Sequence, residues 1–511
     1  MSIISKIANV FSGKNNSAPV KIVSVRGFNA ASIDRLTQGL ATQNYSLDQD
    51  IWRGLSVLRA RSRDLCLNND YAKKFLAMVG NHVVGPVGFT LRVTPPDDNL
   101  KIDTIARKAI EGAFYDWAKV GNCDVTGKLS FTDIQALFAK TVARDGECLV
   151  RKVTGRDAGK YGFQLQVLDI DRLDINKNEE LSNGNVIRMG VEIDKFNKPL
   201  AYWIRTKHPG ANVWMDSIGS KFERIPAAEI LHCFVPERAE QTRGFPWLHS
   251  ALLRLQNLGA YEEAAIINAR VGASKMGFYT TPDGNGEAIA DDKDSDNNLY
   301  SDVEPGALQV LPEGYGFTPF DPDYPHAMYG DFVKACLRGV ASGLNVAYNT
   351  LSNDLEGVNF SSIRTGVLEE RDNWMVIQNW MAETFLNNIY TEWLKMALLF
   401  SAIKFPTGKP LPAEKFDKWN NFYWQGRRWQ WVDPMKDAQA NELAVNNRFK
   451  SRTQVAAEQG RDFEEVLQEI AEENKQAEAL GIELPAINKT PPANNNDDGS
   501  DEPQPKTGKK K

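Results

Sequence analysis

Asp331-Phe-Val-Lys-Ala-Cys-Leu-Arg-Gly-Val-Ala-Ser-Gly-Leu344 sets Phe332, Cys336, Val340 and Leu344 four residues apart, a spacing that gathers side chains on one face of a helix. A polar stretch follows, Asn349-Thr-Leu-Ser-Asn-Asp-Leu-Glu-Gly-Val-Asn-Phe-Ser-Ser362. A much longer helical pattern then runs through Ile363, Val367, Trp374, Ile377, Met381, Phe385, Ile389, Trp393, Met396 and Phe400. A short helix and a long one therefore hold one polar loop outward, and no catalytic constellation sits near it. The fold class expected around such a segment is α+β, mainly α.

Upstream, Phe245-Pro246 opens another helix, with Leu248, Leu252, Leu255, Leu258, Ala265 and Ala269 in a stripe to about Lys275. At ~1.5 Å per residue it is a rod of roughly 40 Å. Between this helix and Asp331 lies an acidic insert, Asp291-Asp-Lys-Asp-Ser-Asp-Asn-Asn298, read as a solvated loop because it lacks the Gly and closing Glu of a calcium loop. Ala307–Leu311 and Tyr315–Phe320 are expected to pair as a hairpin across Pro312-Glu-Gly314.

Further back, helices are expected from Asp50 to about Gly85-Pro86 with a fresh start at Asn68-Asn69-Asp70, over Ile102–Val120, and over Phe131–Arg144 capped by Ser130. Gly88–Val93 alternates like a strand. Short apolar runs at Cys148–Val153, Phe163–Ile170, Val186–Ile193, Ala201–Arg205 and Glu229–Phe234 predict β-hairpins. Downstream of Phe400, the aromatic run Trp419–Trp431 is read as core. Helices are expected after Asp433-Pro434, after Ser451 and over Phe463–Leu480, the last stopped by Gly481. Residues 1–45 and 482–511 have the composition of disordered arms.

The chain has 511 residues, 60 basic against 66 acidic, for a net charge of −6. No global excess of Lys and Arg signals a nucleic-acid grip. Five dispersed cysteines and five histidines show no metal or disulfide spacing and suit reduced, buried thiols. No stretch has the length and apolarity of a membrane span or the build of a signal peptide, so an aqueous compartment is expected.

Candidate chemistry is sparse. Gly121-Asn-Cys-Asp-Val-Thr-Gly-Lys-Leu129 fails as a phosphate loop, because its glycines are wrongly spaced and Leu129 stands where Ser or Thr would hold magnesium. Asp169 and Asp171, alternating at a strand end, are the best seed for a metal-dependent nuclease, set against ordinary turn chemistry. His232 and Cys233 are adjacent on a strand and point to opposite faces, so core packing outranks a thiol–imidazole pair. Arg53, Arg59, Arg61 and Arg63 share a helix face, read as solvated with local ion pairs ahead of a phosphate contact.

Three stretches, in this order, resemble the lambda-type portal proteins of tailed bacteriophages. They are Leu58-Arg-Ala-Arg-Ser-Arg-Asp-Leu-Cys-Leu-Asn-Asn-Asp-Tyr-Ala72 with His82-Val-Val-Gly85; Gly343-Leu-Asn-Val-Ala-Tyr-Asn-Thr-Leu-Ser-Asn-Asp-Leu355 with Asn359-Phe-Ser-Ser-Ile-Arg364; and Trp431-Val-Asp-Pro434 with Gln459-Gly-Arg-Asp-Phe-Glu-Glu-Val466. The resemblance covers roughly residues 50–480.

It implies a non-enzymatic subunit, without cofactor, catalytic or metal residues, of a ring of about twelve copies at one capsid vertex through which double-stranded DNA is packaged and ejected. It also implies a flexible arm (1–45), a wing (46–245), stem helices (246–277 and 326–345), a clip (278–325), a tunnel loop (346–362), a long helix returning to the wing (363–433), a crown (434–481) and a tail (482–511). The channel-lining residues would be Ser352, Asn353, Asp354, Glu356, Asn359 and Ser361. Asp291, Asp292, Asp294, Asp296, Glu313 and Tyr315 would face terminase and then the head–tail connector.

The implied partners are other copies of the chain, DNA, the terminase large subunit, the major capsid protein and scaffold, and the connector, with no membrane. The implied location is the virion, after assembly in host cytoplasm. Twelve copies at −6 each sum to about −72, and a loop without Lys or Arg suits DNA that slides and is not gripped. The competing expectations are a metal-dependent DNA-processing enzyme built on Asp169 and Asp171, or a different head–tail adaptor ring.

Overall fold

Local capping chemistry starts six of the helices. In the computed structural model, which describes residues 41–96, 102–210, 221–273, 277–280, 292–293, 299–300, 316–319, 328–356, 360–429 and 434–482 with positions 35 and 39, Ser46 opens α1 (Leu47–Asn68) by accepting from Gln49 N. The Asn69 side chain accepts from Tyr71 N and Ala72 N to open α2 (Asp70–Val79), which runs on through a π-turn at Gly80–Val84. After β1 (Thr90–Val93) come α3 (Thr104–Trp117), capped by Asp103, and α4 (Phe131–Asp145), whose Ser130 and Asp133 form the reciprocal capping box.

The β region then forms from local hairpins. Strands β2 (Cys148–Thr154), β3 (Phe163–Leu168), β4 (Glu179–Glu180), β5 (Val186–Arg188), β6 (Val191–Ile193), β7 (Pro199–Arg205), β8 (Phe222–Pro226) and β9 (Ile230–Cys233) make two antiparallel sheets, ordered β3-β2-β9 and β4-β5-β6-β7-β8. The single run expected over Val186–Ile193 is in fact two strands, because Met189 and Gly190 both take positive φ and Arg188 pairs with Val191. Two consecutive positive-φ residues are the geometry of a tight hairpin turn.

A 3₁₀ turn at Trp247–Ser250 precedes α5 (Leu252–Ala273), so the helix proper starts later than the proline suggests. Strand β10 (Gly277–Thr280) follows, then the short pair β11 (Asp292–Lys293) and β12 (Leu299–Tyr300). β13 (Gly316–Pro319) pairs with β10, so the two strands meet across the insert; Ala307–Leu311, the other half of the expected hairpin, lies outside the described residues.

Next come α6 (Tyr329–Gly343), α7 (Tyr348–Ser352), α8 (Phe360–Met381) and, through a π-turn at Ala382–Leu386, α9 (Asn387–Leu399). The long helix is therefore continuous but starts three residues before Ile363. α10 (Phe416–Trp419) and β14 (Phe422–Gln425) follow, and β14 pairs with β1 across most of the chain. α11 (Pro434–Asn446), α12 (Arg452–Glu458) and α13 (Phe463–Leu480) end the described chain, with Ser451 accepting from Gln454 N and Gly481 in the left-handed region after α13. The fold is α+β and mainly α.

The main core is aromatic. Phe138 stacks on Phe385 at 4.0 Å between ring centres, and Phe114, Trp117, Phe131, Tyr390 and Trp393 interlock with one another in the same core. Trp419 is buried in the same core, where the aromatic run was expected to be. All five cysteines are free thiols, and all but Cys336 are fully buried.

One carboxylate ties the helical and β parts together. Glu147 is wholly buried and accepts from Arg59 (2.7 Å), Arg243 (2.7 Å), His232 Nε2 (2.7 Å) and Gly244 N (3.0 Å). Arg243 then donates to the carbonyls of Leu173 and Met189, and Arg59 to Asp171 and the Asp145 carbonyl. Gly146 (φ +90°) and Gly244 press backbone to backbone here, and a Cβ on either would collide with the other segment.

The arginine face of α1 is divided: Arg53 and Arg61 are exposed, as a solvated face would have them, whereas Arg59 is 4% exposed and Arg63 pairs with Asp145, Asp169 and Asp171.

Burial alone would raise Glu147's pKa, but the charges of Arg243, His232 and Arg59 hold it well below 4.5. Its contribution to stability is therefore complete above the ordinary carboxylate value and lost as pH falls toward the depressed native one. Glu147→Ala, which strands two buried guanidiniums, is expected to cost about 3–5 kcal/mol in denaturant titrations. Glu147→Gln should remove this part of the pH dependence below about pH 4.5.

Candidate functional site

α5 and α6 run antiparallel: Ser250 Oγ donates to the Gly343 carbonyl (2.9 Å), the Arg254 guanidinium lies against Gly339, and Tyr261 meets Tyr329 and Phe332 with ring centres 5.7 and 5.1 Å apart. A Cβ at Gly339 would clash with that guanidinium, so glycine permits the close approach. α6 ends as Val346 N donates to the Ala341 carbonyl and Asn345 takes φ +55°. The chain then turns into α7 and the loop.

That loop is held from several sides. Asn353 caps α7 in the left-handed conformation and accepts from Lys74 Nζ (3.0 Å) on α2. Ser352 Oγ donates to the Tyr348 carbonyl and accepts from Asp354 N. Asp354 accepts from the Tyr348 hydroxyl (2.7 Å) and from Glu356 N (3.0 Å). Lys334, one helix earlier, lies 3.1 Å from Glu356 and 3.6 Å from Asp354.

Behind the loop, Glu370 on α8 accepts from Thr350 Oγ1 and Trp374 Nε1, and Asn373 exchanges hydrogen bonds with Asn345.

These contacts set the loop's electrostatics. The Tyr348 hydroxyl, the Glu356 amide and then Lys334 hold Asp354 below the usual carboxylate range. The bond to Glu356, with the field of Asp354, raises Lys334. Asp354 is thus engaged inward while the Glu356 side chain is 83% exposed. The sequence of the loop carries no cation, yet the fold brings two to it, Lys334 to the carboxylates and Lys74 to Asn353.

Of the other expected residues, Ser361 is the second residue of α8, Asp292 lies in β11 opposite Tyr300, and Asn359, Asp291, Asp294, Asp296, Glu313 and Tyr315 lie outside the described residues.

Asp169 and Asp171 do converge with His208, close enough to share an ion. Asp169 caps a 3₁₀ turn, however, and Arg63 and Arg59 already pair with both carboxylates, at 2.6–3.2 Å. Two guanidiniums there oppose a divalent cation, and the arrangement is that of a domain-joining ion-pair cluster. His232 pairs with Glu147, while Cys233 faces the Thr384 carbonyl from the other side of the strand. Around Asp124, in the rejected phosphate loop, the amides of Lys128 and Leu129 turn onto a carboxylate.

A chain of long helices carrying a tethered, charge-balanced loop has the make-up of a structural subunit. The sequence profile described as "Phage portal protein, lambda family" matches residues 34–378, and the chain belongs to that family. It is 35% identical over 466 residues, 90% of this chain and 88% of the relative, to the "Probable portal protein" of Halomonas phage phiHAP-1. It is 22% identical over 475 residues, 86% and 87% of the two chains, to "Portal protein B" of Escherichia phage lambda. Among solved structures it is similar to a chain from the neck of an empty GTA particle (TM-score 0.42, 13% identity, 80% of this chain and 94% of that one).

Lys334→Gln removes the cation bonded to Glu356. Hydrogen exchange at the amides of residues 353–356 should then quicken several-fold, with global unfolding unchanged.

Proposed function

We propose that this chain is one subunit of a ring, of the twelve copies that the family resemblance implies, whose central channel passes double-stranded DNA into and out of the capsid. The observation that carries this reading is the outer surface of the α5–α6 pair. Beyond their mutual contact, Leu253 (69% exposed), Ile266 (60%) and Phe332 (50%) stand in water in the lone subunit. Apolar surface gathered on helices and left without a partner marks an interface, and a helix apolar on several sides requires several neighbours.

In this reading 246–277 and 326–345 are the stems and 278–325 the clip, which docks the terminase large subunit and later the head–tail connector. Residues 46–245 with 363–433 are the wing, set among capsid and scaffold protein, and 434–481 the crown. Assembly takes place in host cytoplasm, and the finished ring stays at the virion's portal vertex. The chain carries out no reaction of its own, a reading supported by the arginines that occupy Asp169 and Asp171.

The loop around 353–356 lines the channel. With Lys334 set against Asp354 and Glu356, it offers the duplex a nearly balanced surface, so contacts at the loop itself release few counterions.

Electron-microscope images of the purified protein should show closed rings with a hole of duplex width; a compact monomer would overturn the proposal. Asp354→Lys with Glu356→Lys leaves three unpaired cations per subunit at the loop, so DNA packaging in vitro should slow or stall. Packaging at the wild-type rate would remove the loop from the channel wall.

A further inference from the structure

Three cationic side chains from separate segments gather round one histidine: Lys74 on α2, Arg371 on α8, and Arg427 just beyond β14. Each contributes positive potential at His82, whose pKa is lowered first by burial and then by Arg427, Arg371 and Lys74, with Glu370 opposing. His82 stacks between Trp374 (5.5 Å) and Trp429 (6.2 Å), and its Nδ1 lies 3.0 Å from the donating Trp429 Nε1. The guanidiniums of Arg371 and Arg427 lie 5.8 and 6.0 Å from the Trp429 ring.

What these arginines lack is an anion. Arg59, Arg63, Arg92, Arg107 and Arg243 are all ion-paired. Arg371 and Arg427 form no ion pair with any carboxylate among the described residues, and burial lowers the pKa of both. Arg371 is lowered further by Arg427, with the charges of Asp437 and Glu370 pulling the other way. Its Nε is buried without a hydrogen-bond partner. Glu370 is already committed to Thr350 and Trp374. Two half-desolvated like charges sharing one indole form a site that an oxyanion completes, and planar guanidiniums suit phosphate.

The place of the cluster in the fold identifies the phosphate. Lys74 also bonds Asn353, so the cluster adjoins the loop. Glu370, the neighbour of Arg371 on α8, accepts from Thr350 Oγ1 of α7 at 2.8 Å, so Arg371 too adjoins the segment that carries the loop. At the loop itself Lys334 is spent on Asp354 and Glu356 and Arg338 lies over the Tyr348 ring, whereas Lys74, Arg371 and Arg427 have no carboxylate partner among the described residues.

We propose that Lys74, Arg371 and Arg427 form a cradle that holds the sugar–phosphate backbone of DNA next to the loop. The proposal rests on the reading of this chain as a DNA-channel subunit and goes beyond it: the loop slides, and the cradle grips.

The test is fluorescence anisotropy of a labelled duplex of about 30 base pairs with the full-length protein, titrated from about 50 to 200 mM NaCl. Arg371→Gln with Arg427→Gln should weaken binding at least ~10-fold at the low-salt end and flatten the log–log salt slope by about two for each site. Lys74→Gln alone should weaken binding about threefold and flatten the slope by about one, which keeps the test open if the double variant does not fold. Unchanged affinity and slope in either folded variant would overturn the cradle. A double variant that folds but no longer closes into rings would also overturn it, since the arginines would then serve a carboxylate of a second copy. Wild-type protein that binds duplex through these residues without forming rings would instead sink the channel reading and leave the cradle standing.

Discussion

The structure depends on the burial of one negative charge. Glu147 sits at the point where α4 gives way to β2, and its two oxygens receive donors from α1, from β9 and from the segment 242–244. Removing a carboxylate from water costs several kcal/mol unless its lone pairs are met by charge and geometry together. Here two guanidiniums, an imidazole and an amide meet them, and the same arginines reach on to the turns of the five-stranded sheet. The helical body and the β part cannot separate without exposing a charge set that is tolerable only when complete. The segment 242–244 also leads directly to Pro246 and α5, so the direction in which the long helices leave the body is set at this carboxylate.

Much of this was legible in the sequence, and the division follows the range of the interactions. Helices opened by their own caps lie where capping chemistry places them: Ser130 with Asp133, Asn69, Ser451 and Asp462 each bond within a few residues. Errors arose where a remote partner decides the outcome. Arg59 and Arg63 look like a wet helix face until the carboxylates of residues 145, 147, 169 and 171 are brought against them. The pairing of Gly316–Pro319 with the strand that follows α5 joins chain about 40 residues apart, and the β1–β14 pairing spans more than 300 residues of chain. The polar charge before an apolar strand, Arg144-Asp-Gly-Glu147, was the available sign of the buried network, since an acid at the mouth of a core strand needs a cationic partner somewhere.

The candidate site shows the same limit. The loop's position between two helices is readable from periodicity, but its charge is not a property of its own residues. Lys334 reaches it from α6 and Lys74 from α2. A count of acidic and basic letters over 352–359 therefore gives a repulsive surface, whereas the folded loop has its two carboxylates set against a shared lysine. The distinction matters for a moving polyelectrolyte: repulsion raises a barrier, strong attraction acts as a brake, and near-balance does neither.

Ring closure imposes a further requirement that a single subunit can meet or fail. In a cyclic assembly each copy offers one surface to the neighbour on its left and a different one to the neighbour on its right. A chain built for such an assembly must leave two unlike apolar surfaces in water, not one self-complementary patch. The subunit has candidates for both: Leu253, Ile266 and Phe332 on the α5–α6 pair, and Trp52, Val57 and Leu67 along α1. They belong to helices on either side of the Glu147 junction, so the carboxylate that fixes how α5 leaves the body also fixes the angle between them. In a closed ring that angle determines how many copies complete the circle. The buried charge is therefore more than a stabilising contact: it holds the two exposed helix surfaces in one relation to each other.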